Sequence, residues 1–297
     1  MRKRLSITAL LVFTCVPVFA QSRFSLKATG GWGYIAAGDI NKASRSYNEK
    51  YRTFPNYYSA LYAGIHSAPL LGFEACFSVA KRTFIGLGAS FYPGSFDDRL
   101  SYEQGPMNVT RWYTLHLTVF PITLSAYTAL PVRPWLDMVL TAGAGYYLTT
   151  FDHAESADFS AWPAGLSSSR NEFKARRGAF GIHGGLGFEI KITPGWRFLV
   201  QAVGRLAELK DVTGEWSSLA KSPEGTSLAG GSDHVFYYVE EEIEGKVYSR
   251  LHYGKTAPSA VTLARKATID LSGFALVGGF RFTFGKKDPD DGSLVFR

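Results

Sequence analysis

The chain has 297 residues, with 22 Phe, 16 Tyr, 31 Gly and two cysteines, and a formal net charge of +7. Arg2, Lys3 and Arg4 precede an apolar run over residues 5–16, which predicts a cleaved signal peptide over residues 1–20. Without these three, 29 basic residues face 25 acidic ones and no basic run remains, so no nucleic-acid partner is expected. Cys76 is the one cysteine left after Cys15 is removed, which excludes an intrachain disulfide in the mature chain.

The remaining sequence alternates large and small residues with the period of a β-strand. It has no run of about 18 apolar residues, so a transmembrane helix is not expected. Phe24 to Tyr34 forms the first predicted strand, and residues 70–80 and 83–92 form a hairpin about the turn 81–82. In each strand the large apolar residues share one face, and glycine, polar or charged residues share the other.

A fourth strand begins near Arg111. Its apolar face, from Tyr113 to Val119, changes phase at Phe120 and Pro121. Because proline removes a hydrogen-bond donor from the sheet, this shift predicts a β-bulge. Four further strands are predicted over residues 135–151, 178–192, 196–209 and about 268–284.

Short and long connections alternate along the chain. The short ones are predicted turns at residues 81–82, 131–134 and 193–195, and the long polar ones cover about 36–68, 94–109, 153–177 and 211–266. This asymmetry is typical of outer-membrane barrels, with short periplasmic turns and long extracellular loops. Two predicted aromatic belts agree with it: Trp135, Trp196, Phe198, Phe282 and Phe284 at the turn end, and Trp32, Tyr34, Phe91, Tyr113, Tyr146 and Phe151 at the loop end.

These features predict an all-β fold, an eight-stranded antiparallel up-and-down transmembrane β-barrel over residues 21–284, with a short polar tail over 285–297. A soluble lipocalin-like barrel is the alternative, with the large residues inside. A ten-stranded barrel is also possible, if His234–Glu241 and Lys246–Tyr253 join the barrel instead of forming a hairpin above the membrane.

The whole chain, from signal to aromatic last strand, resembles the small outer-membrane β-barrels of the OmpA/OmpX-like type. The resemblance implies an outer-membrane location and contact with outer-membrane lipids. It also implies that the barrel-assembly machinery reads the last strand, which carries Phe280, Phe282 and Phe284. The tail after Phe284 departs from the family pattern, in which the chain usually ends at the aromatic residue.

The face opposite the apolar one would fill the lumen of such a barrel. Buried charges are costly unless they are paired, so we expect Glu74 and Glu189 to pair with Arg205, Arg281 or Lys27. The predicted lumen network also contains Asp137, His183, Lys191, Arg197 and Gln201. It is either a static plug or a gate in a narrow ion path.

Three functions remain open on the sequence. The first, which we favour, is a structural or surface-interaction barrel whose long loops bind an extracellular ligand. The second is a narrow channel or small-ligand transporter. The third is a membrane-embedded hydrolase acting on lipid, or a protease, with His66, Ser67 and His153 as catalytic candidates, since a histidine base can activate a serine. Their spacing matches no catalytic motif, so an enzyme is not expected, and neither a metal nor a cofactor is expected.

Overall fold

A computed structural model of the protein describes residues 24–59, 64–161 and 165–284. The predicted signal peptide and the predicted tail lie outside these described residues. No helix within the described ranges is long and apolar enough to cross a bilayer. In chain order the elements are β1 (Phe24–Tyr34), α1 (Asp39–Tyr51), β2 (Tyr58–Ser59), β3 (Ser67–Ala80), β4 (Thr83–Gln104), β5 (Met107–Arg133), β6 (Leu136–Ala161), β7 (Gly165–Thr193), β8 (Trp196–Leu209), β9 (Thr213–Ser222), β10 (Gly225–Ile243), β11 (Lys246–Gly254), β12 (Leu263–Lys266), β13 (Ile269–Asp270) and β14 (Gly273–Phe284).

Antiparallel pairing closes eight of these strands into a ring. β1 pairs with both β14 and β3, the strands from β3 to β8 pair in chain order, and β8 pairs with β14. Short turns join β3 to β4, β5 to β6 and β7 to β8. The predicted all-β antiparallel fold is confirmed, and the eight strands predicted from the sequence are those of the ring.

The four middle strands of the ring are much longer than predicted. β4 to β7 have 22, 27, 26 and 29 residues, whereas about 9–11 residues suffice to cross a membrane. The prediction that residues 94–109 and 153–177 are mainly loops is therefore wrong, because they continue these strands beyond the ring. We call this continuation, residues 95–104, 107–118, 150–161 and 165–177 together with α1 and β9 to β12, the upper layer.

The upper layer is a curved sheet closed by a helix. β9 pairs with the upper half of β7, and β10 joins β9 to β11. The hairpin predicted for His234–Glu241 and Lys246–Tyr253 is present as β10 and β11, which lie outside the ring. α1 lies between β11 and β4: the Ser249 amide of β11 donates to Ser46 Oγ at 2.6 Å, and Asn48 Nδ2 donates to Asp98 Oδ2 of β4 at 3.4 Å.

α1 occupies what the sequence predicted as the polar loop 36–68. It begins after Gly38, whose φ of +55° favours glycine. Ile40, Ala43 and Tyr51 are buried at the three- and four-residue spacing of one helix face. Asp39 lies in the first turn, where a negative charge is favourable.

The interior of the protein changes character between the ring and the upper layer. On β4, Ile85, Leu87 and Phe91 point outward and are exposed, over an interior that holds Gly86 and Gly88. Further along the same strand the outward positions become polar and the inward ones apolar. The upper layer thus has the buried apolar core of a water-soluble protein, formed by Ile40, Phe96, Leu115, Leu117, Phe151, Phe173, Phe236 and Tyr238 among others. The ring has the opposite arrangement.

This inversion explains the phase change that the sequence shows in β5. The predicted β-bulge at Phe120 and Pro121 is absent, since the pairing with β6 runs through both residues without a register shift. Leu117, which is fully buried, faces the interior, and Leu124, which is 57% exposed, faces outward. The apolar residues move from the outer to the inner face, whereas the alternation of the strand itself continues without interruption.

Two members of the predicted upper aromatic belt are corrected for the same reason. Phe151 is buried and Tyr113 lines an internal cavity, because both lie above the level at which the apolar face turns inward. Trp32, Tyr34 and Tyr146 are exposed on the outside of the ring, as predicted.

Candidate functional site

Charged side chains cross the lumen of the ring in one row. Glu74, Lys27, Arg281, Arg197 and Lys191 are successive cross-strand neighbours on β3, β1, β14, β8 and β7. Like charges side by side are unfavourable, so the four cations need carboxylates from other positions. Glu189 and Asp137, which are paired across β7 and β6, supply them.

Each cation in the lower part of this row has an acidic partner. Asp137 contacts Lys191 Nζ at 3.2 Å and Arg197 Nη1 at 2.9 Å. Glu189 contacts Arg197 at 3.6 Å and also pairs with Arg281. Ion pairs buried to this degree are strongly destabilised when one partner is removed.

Glu74 forms a second group with Lys27. Lys27 Nζ lies 3.3 Å from Glu74 Oε2, and it also donates to Tyr127 and Gln201. The Tyr127 hydroxyl donates to Glu74 as well. A cavity of about 90 Å³ is left beside these side chains, so polar groups occupy most of the lumen.

Arg205 and His183 are also in the lumen, and the partners of Arg205 differ from those predicted. Arg205 donates to the carbonyls of Leu271 and Tyr34 at 2.7 and 3.0 Å instead of pairing with Glu74 or Glu189. His183 shares a hydrogen bond of 3.0 Å with Ser125.

The catalytic candidates are not brought together. His66 contacts Asn41 and stacks on Tyr34, and the exposed Ser67 begins β3. His153 instead contacts Tyr253. No hydrogen bond joins any two of the three candidates within the described residues, so the base and nucleophile of a serine hydrolase are not assembled from them.

A concave site lies in the upper layer, between α1 and the inner face of β4, β5 and β6. It is a cavity of about 430 Å³, within the range of small-molecule sites. Three register rows form its sheet wall: Phe96, Leu115 and His153; Asp98, Tyr113 and Glu155; and Leu100, Arg111 and Ala157. α1 and β11 cover the opposite side.

Glu155 is the centre of a hydrogen-bonded group in this cavity. Its Oε1 accepts from Arg111 Nη1 at 2.7 Å, from the Tyr113 hydroxyl at 3.0 Å and from the Tyr47 hydroxyl at 3.4 Å. Burial, and then the negative charge of Glu155, raises the pKa of Tyr47 well above 10, so its hydroxyl keeps its proton and donates. The wall that holds Arg111 and Glu155 is therefore already organised.

His153 lies at the floor of the cavity. Its Nδ1 shares a hydrogen bond of 2.5 Å with the Tyr253 hydroxyl, and its ring lies near Phe151 and Tyr113. Burial lowers the pKa of His153 to about 4. The imidazole is neutral at physiological pH, which suits a floor that is otherwise made of Phe96 and Leu115.

Sequence reasoning identified His153 but not the cavity around it. Asp98, Arg111, Tyr113 and Glu155 alternate with outward residues along β4 to β6, and this alternation was the available signal. This alternation was not recognised as a cavity wall, because the apolar residues change from the outer to the inner face at the level of Phe120.

No family model matches the chain, and no curated protein matches it. Among solved structures, the chain is similar to a major outer membrane protein from Thermus thermophilus, with 11% identity and a TM-score of 0.37, over 89% of this chain and 99% of that one. That TM-score is too low to assign a shared fold or function.

Proposed function

We propose that this chain is an integral outer-membrane β-barrel protein with a closed lumen and a structural or surface-interaction role. The observation that carries the proposal is the inversion of polarity along single strands. Exposed Leu, Ile and Phe side chains surround the ring, whereas the same strands bury such side chains in the upper layer. If water surrounded the whole molecule, both parts would be expected to bury their apolar side chains. Lipid around the ring explains why the ring exposes them.

The contents of the ring support a closed barrel. An eight-stranded barrel is just wide enough for side chains to fill, and paired charges occupy this lumen. The channel alternative has little support, because an ion would have to displace these pairs. The hydrolase alternative has little support, because no hydrogen bond joins any two of its candidate residues within the described part of the chain.

The outward position of the upper layer agrees with the predicted loop asymmetry, since it lies at the end of the ring opposite the short turns. Its helix-covered cavity makes it the surface-interaction part of the proposal. The predicted signal peptide would direct the chain to the envelope, where the barrel-assembly machinery would read the strand that ends in Phe280, Phe282 and Phe284.

Cell fractionation with gel electrophoresis tests the proposal. We expect the protein in the outer-membrane fraction, with faster mobility in SDS before boiling than after it, because closed membrane barrels resist SDS until heated. Recovery as a soluble periplasmic protein without a mobility shift would overturn it.

A further inference from the structure

Three cations and three carboxylates line the cavity of the upper layer, but they do not pair one to one. Arg111 contacts Glu155 at 2.7 Å, and Arg250 contacts Glu241 at 2.6 Å. Lys50 lies 4.0 Å from Glu241. The remaining charged residue of the lining, Asp98, has no cationic partner among the described residues.

Asp98 is buried all the same, with 7% of its surface exposed. Its Oδ1 accepts from the Arg99 amide at 2.8 Å, and its Oδ2 has only the long contact of 3.4 Å from Asn48 Nδ2. A carboxylate held this far from water without a counter-charge is unfavourable. A cation bound in the cavity would supply that charge.

Aromatic rings stand beside this carboxylate. Tyr113 is the direct cross-strand neighbour of Asp98. The ring of Tyr47 lies 5.0 Å from that of Tyr113, whereas the nearby ring of Tyr51 already has Arg111 and Lys50 over it, at 5.5 and 5.9 Å. Aromatic faces attract cations, and most strongly where water is excluded. Phe96, Leu100 and Leu115 add apolar surface for the rest of a ligand.

We propose that this cavity binds an organic cation with an apolar body, such as an aryl or alkyl amine or a quaternary ammonium compound. The cationic group sits between Asp98 and the tyrosine rings, and the apolar body contacts Phe96 and Leu115. Arg111 holds Glu155 and the tyrosine hydroxyls in place and thereby preorganises the wall. The inference deepens the proposed surface-interaction role by naming its ligand class.

Three probes that share one ring and differ in charge test the proposal: benzyltrimethylammonium, benzyl alcohol and phenylmethanesulfonate. Each is titrated by calorimetry into the full-length protein in a non-ionic detergent, so that the detergent headgroup does not compete. We expect saturable binding of the cation at least about tenfold tighter than binding of the other two, because only the cation is attracted both by the Asp98 carboxylate and by the tyrosine rings. Equal affinities, preference for the anion, or no saturable binding of the cation would overturn the proposal.

Matched variants locate the site. Asp98→Asn should weaken binding of benzyltrimethylammonium about tenfold or more. Asp97→Asn removes the same charge from the exposed, opposite face of β4 and should leave binding unchanged. Equal effects of the two substitutions would show that the cation binds elsewhere.

A ring substitution keeps the test valid if Asp98→Asn does not fold. Tyr47→Leu removes one of the two rings placed beside the cation and should weaken cation binding about threefold, whereas wild-type affinity would contradict the proposed position of the cation. The mobility of unboiled protein reports the barrel separately, so failure of the ligand proposal is distinguishable from failure of the proposed function.

Discussion

At the scale of single residues, an arginine scan distinguishes lipid from water around the ring. Leu124 lies in the middle of the exposed apolar band, between Leu87 and Ala144 of the neighbouring strands. Leu124→Arg should lower the free energy of unfolding in lipid vesicles by about 2–4 kcal/mol, the cost of a cation near the middle of a bilayer. Denaturant titration of the reconstituted protein measures it.

Ser95→Arg is the control for this substitution. Ser95 is also exposed on the outside, but in the upper layer, so its substitution should change stability by less than about 0.5 kcal/mol. In a water-soluble protein Leu124→Arg would be equally harmless. Similar small effects of the two substitutions would therefore contradict the membrane assignment.

His153 makes the stability of the upper layer depend on pH. Its pKa is about 4 in the folded protein and about 6.5 in an unfolded chain. Between these values the unfolded chain binds a proton that the folded chain does not, so the free energy of unfolding should fall as pH falls from 6.5 to 4. The total loss is about 3 kcal/mol, and it should level off below pH 4.

Melting temperatures at intervals between pH 4 and 7.5 measure this slope. His153→Gln removes the titrating group and should flatten that part of the curve. His116→Gln removes an exposed histidine from the neighbouring strand and should not. An unchanged slope in His153→Gln would assign the pH dependence to other groups.

At the scale of elements, hydrogen bonds of Asp39 hold the first turn of α1 to the segment 265–268. The Asp39 carboxylate accepts hydrogen bonds from both terminal guanidinium nitrogens of Arg265, at 2.6 and 2.5 Å. It also accepts one from the Thr268 amide at 2.8 Å. Asp39→Asn removes the charge from these bonds and should cost about 1–2 kcal/mol of local stability. Hydrogen–deuterium exchange of the amides of residues 42–51 should accelerate about 5- to 30-fold.

Asp211→Asn is the matched control, because Asp211 pairs with Lys266, the residue next to Arg265. Both partners of that pair are exposed, and exposed ion pairs contribute little. Exchange in α1 should remain at the wild-type rate. If both substitutions accelerate exchange equally, the segment 265–268 rather than the Asp39 contact holds the helix.

β5 shows how far the sequence can predict this fold. The alternation of its lower half is correct, because that half has a single surrounding medium, which we propose to be lipid, and this medium selects the face that is apolar. Above Phe120 the same strand buries Leu117 and Leu115. If the apolar residues are assumed to stay on one side of the strand, their change of phase predicts a bulge. The error disappears only when the strand is known to pass through two environments that select opposite faces as apolar.

The lumen shows a second limit of prediction from the sequence. Strand phase alone places Glu74, Glu189 and Arg281 on the inner face. It does not give the cross-strand register, which sets Lys27 directly opposite both Glu74 and Arg281. The cavity in the upper layer needed both kinds of information, since its wall is a set of register rows on strands that were expected to end below it.

At the scale of the whole molecule, a ring with an apolar outer face supports a layer that has a buried apolar core. The two parts share four continuous strands, so the ring fixes the spacing of the strands that form the cavity wall. Sites on rigid strands keep their geometry better than sites on loops. The surface role that we propose therefore depends on a wall of strands as well as on connecting loops.

The same architecture predicts that the protein does not conduct ions. The lumen retains about 90 Å³ beside Lys27 and Glu74, and the Glu189 group lies against Arg281 and Arg197. An ion would have to separate buried pairs, each costly to break. Wild-type protein in planar bilayers should give no steady current, whereas a variant with Lys27, Glu74, Glu189 and Arg281 all changed to Ala should conduct, provided that its unboiled form keeps the folded mobility. Steady wild-type currents, or a folded variant that remains silent, would show that these pairs do not close the lumen.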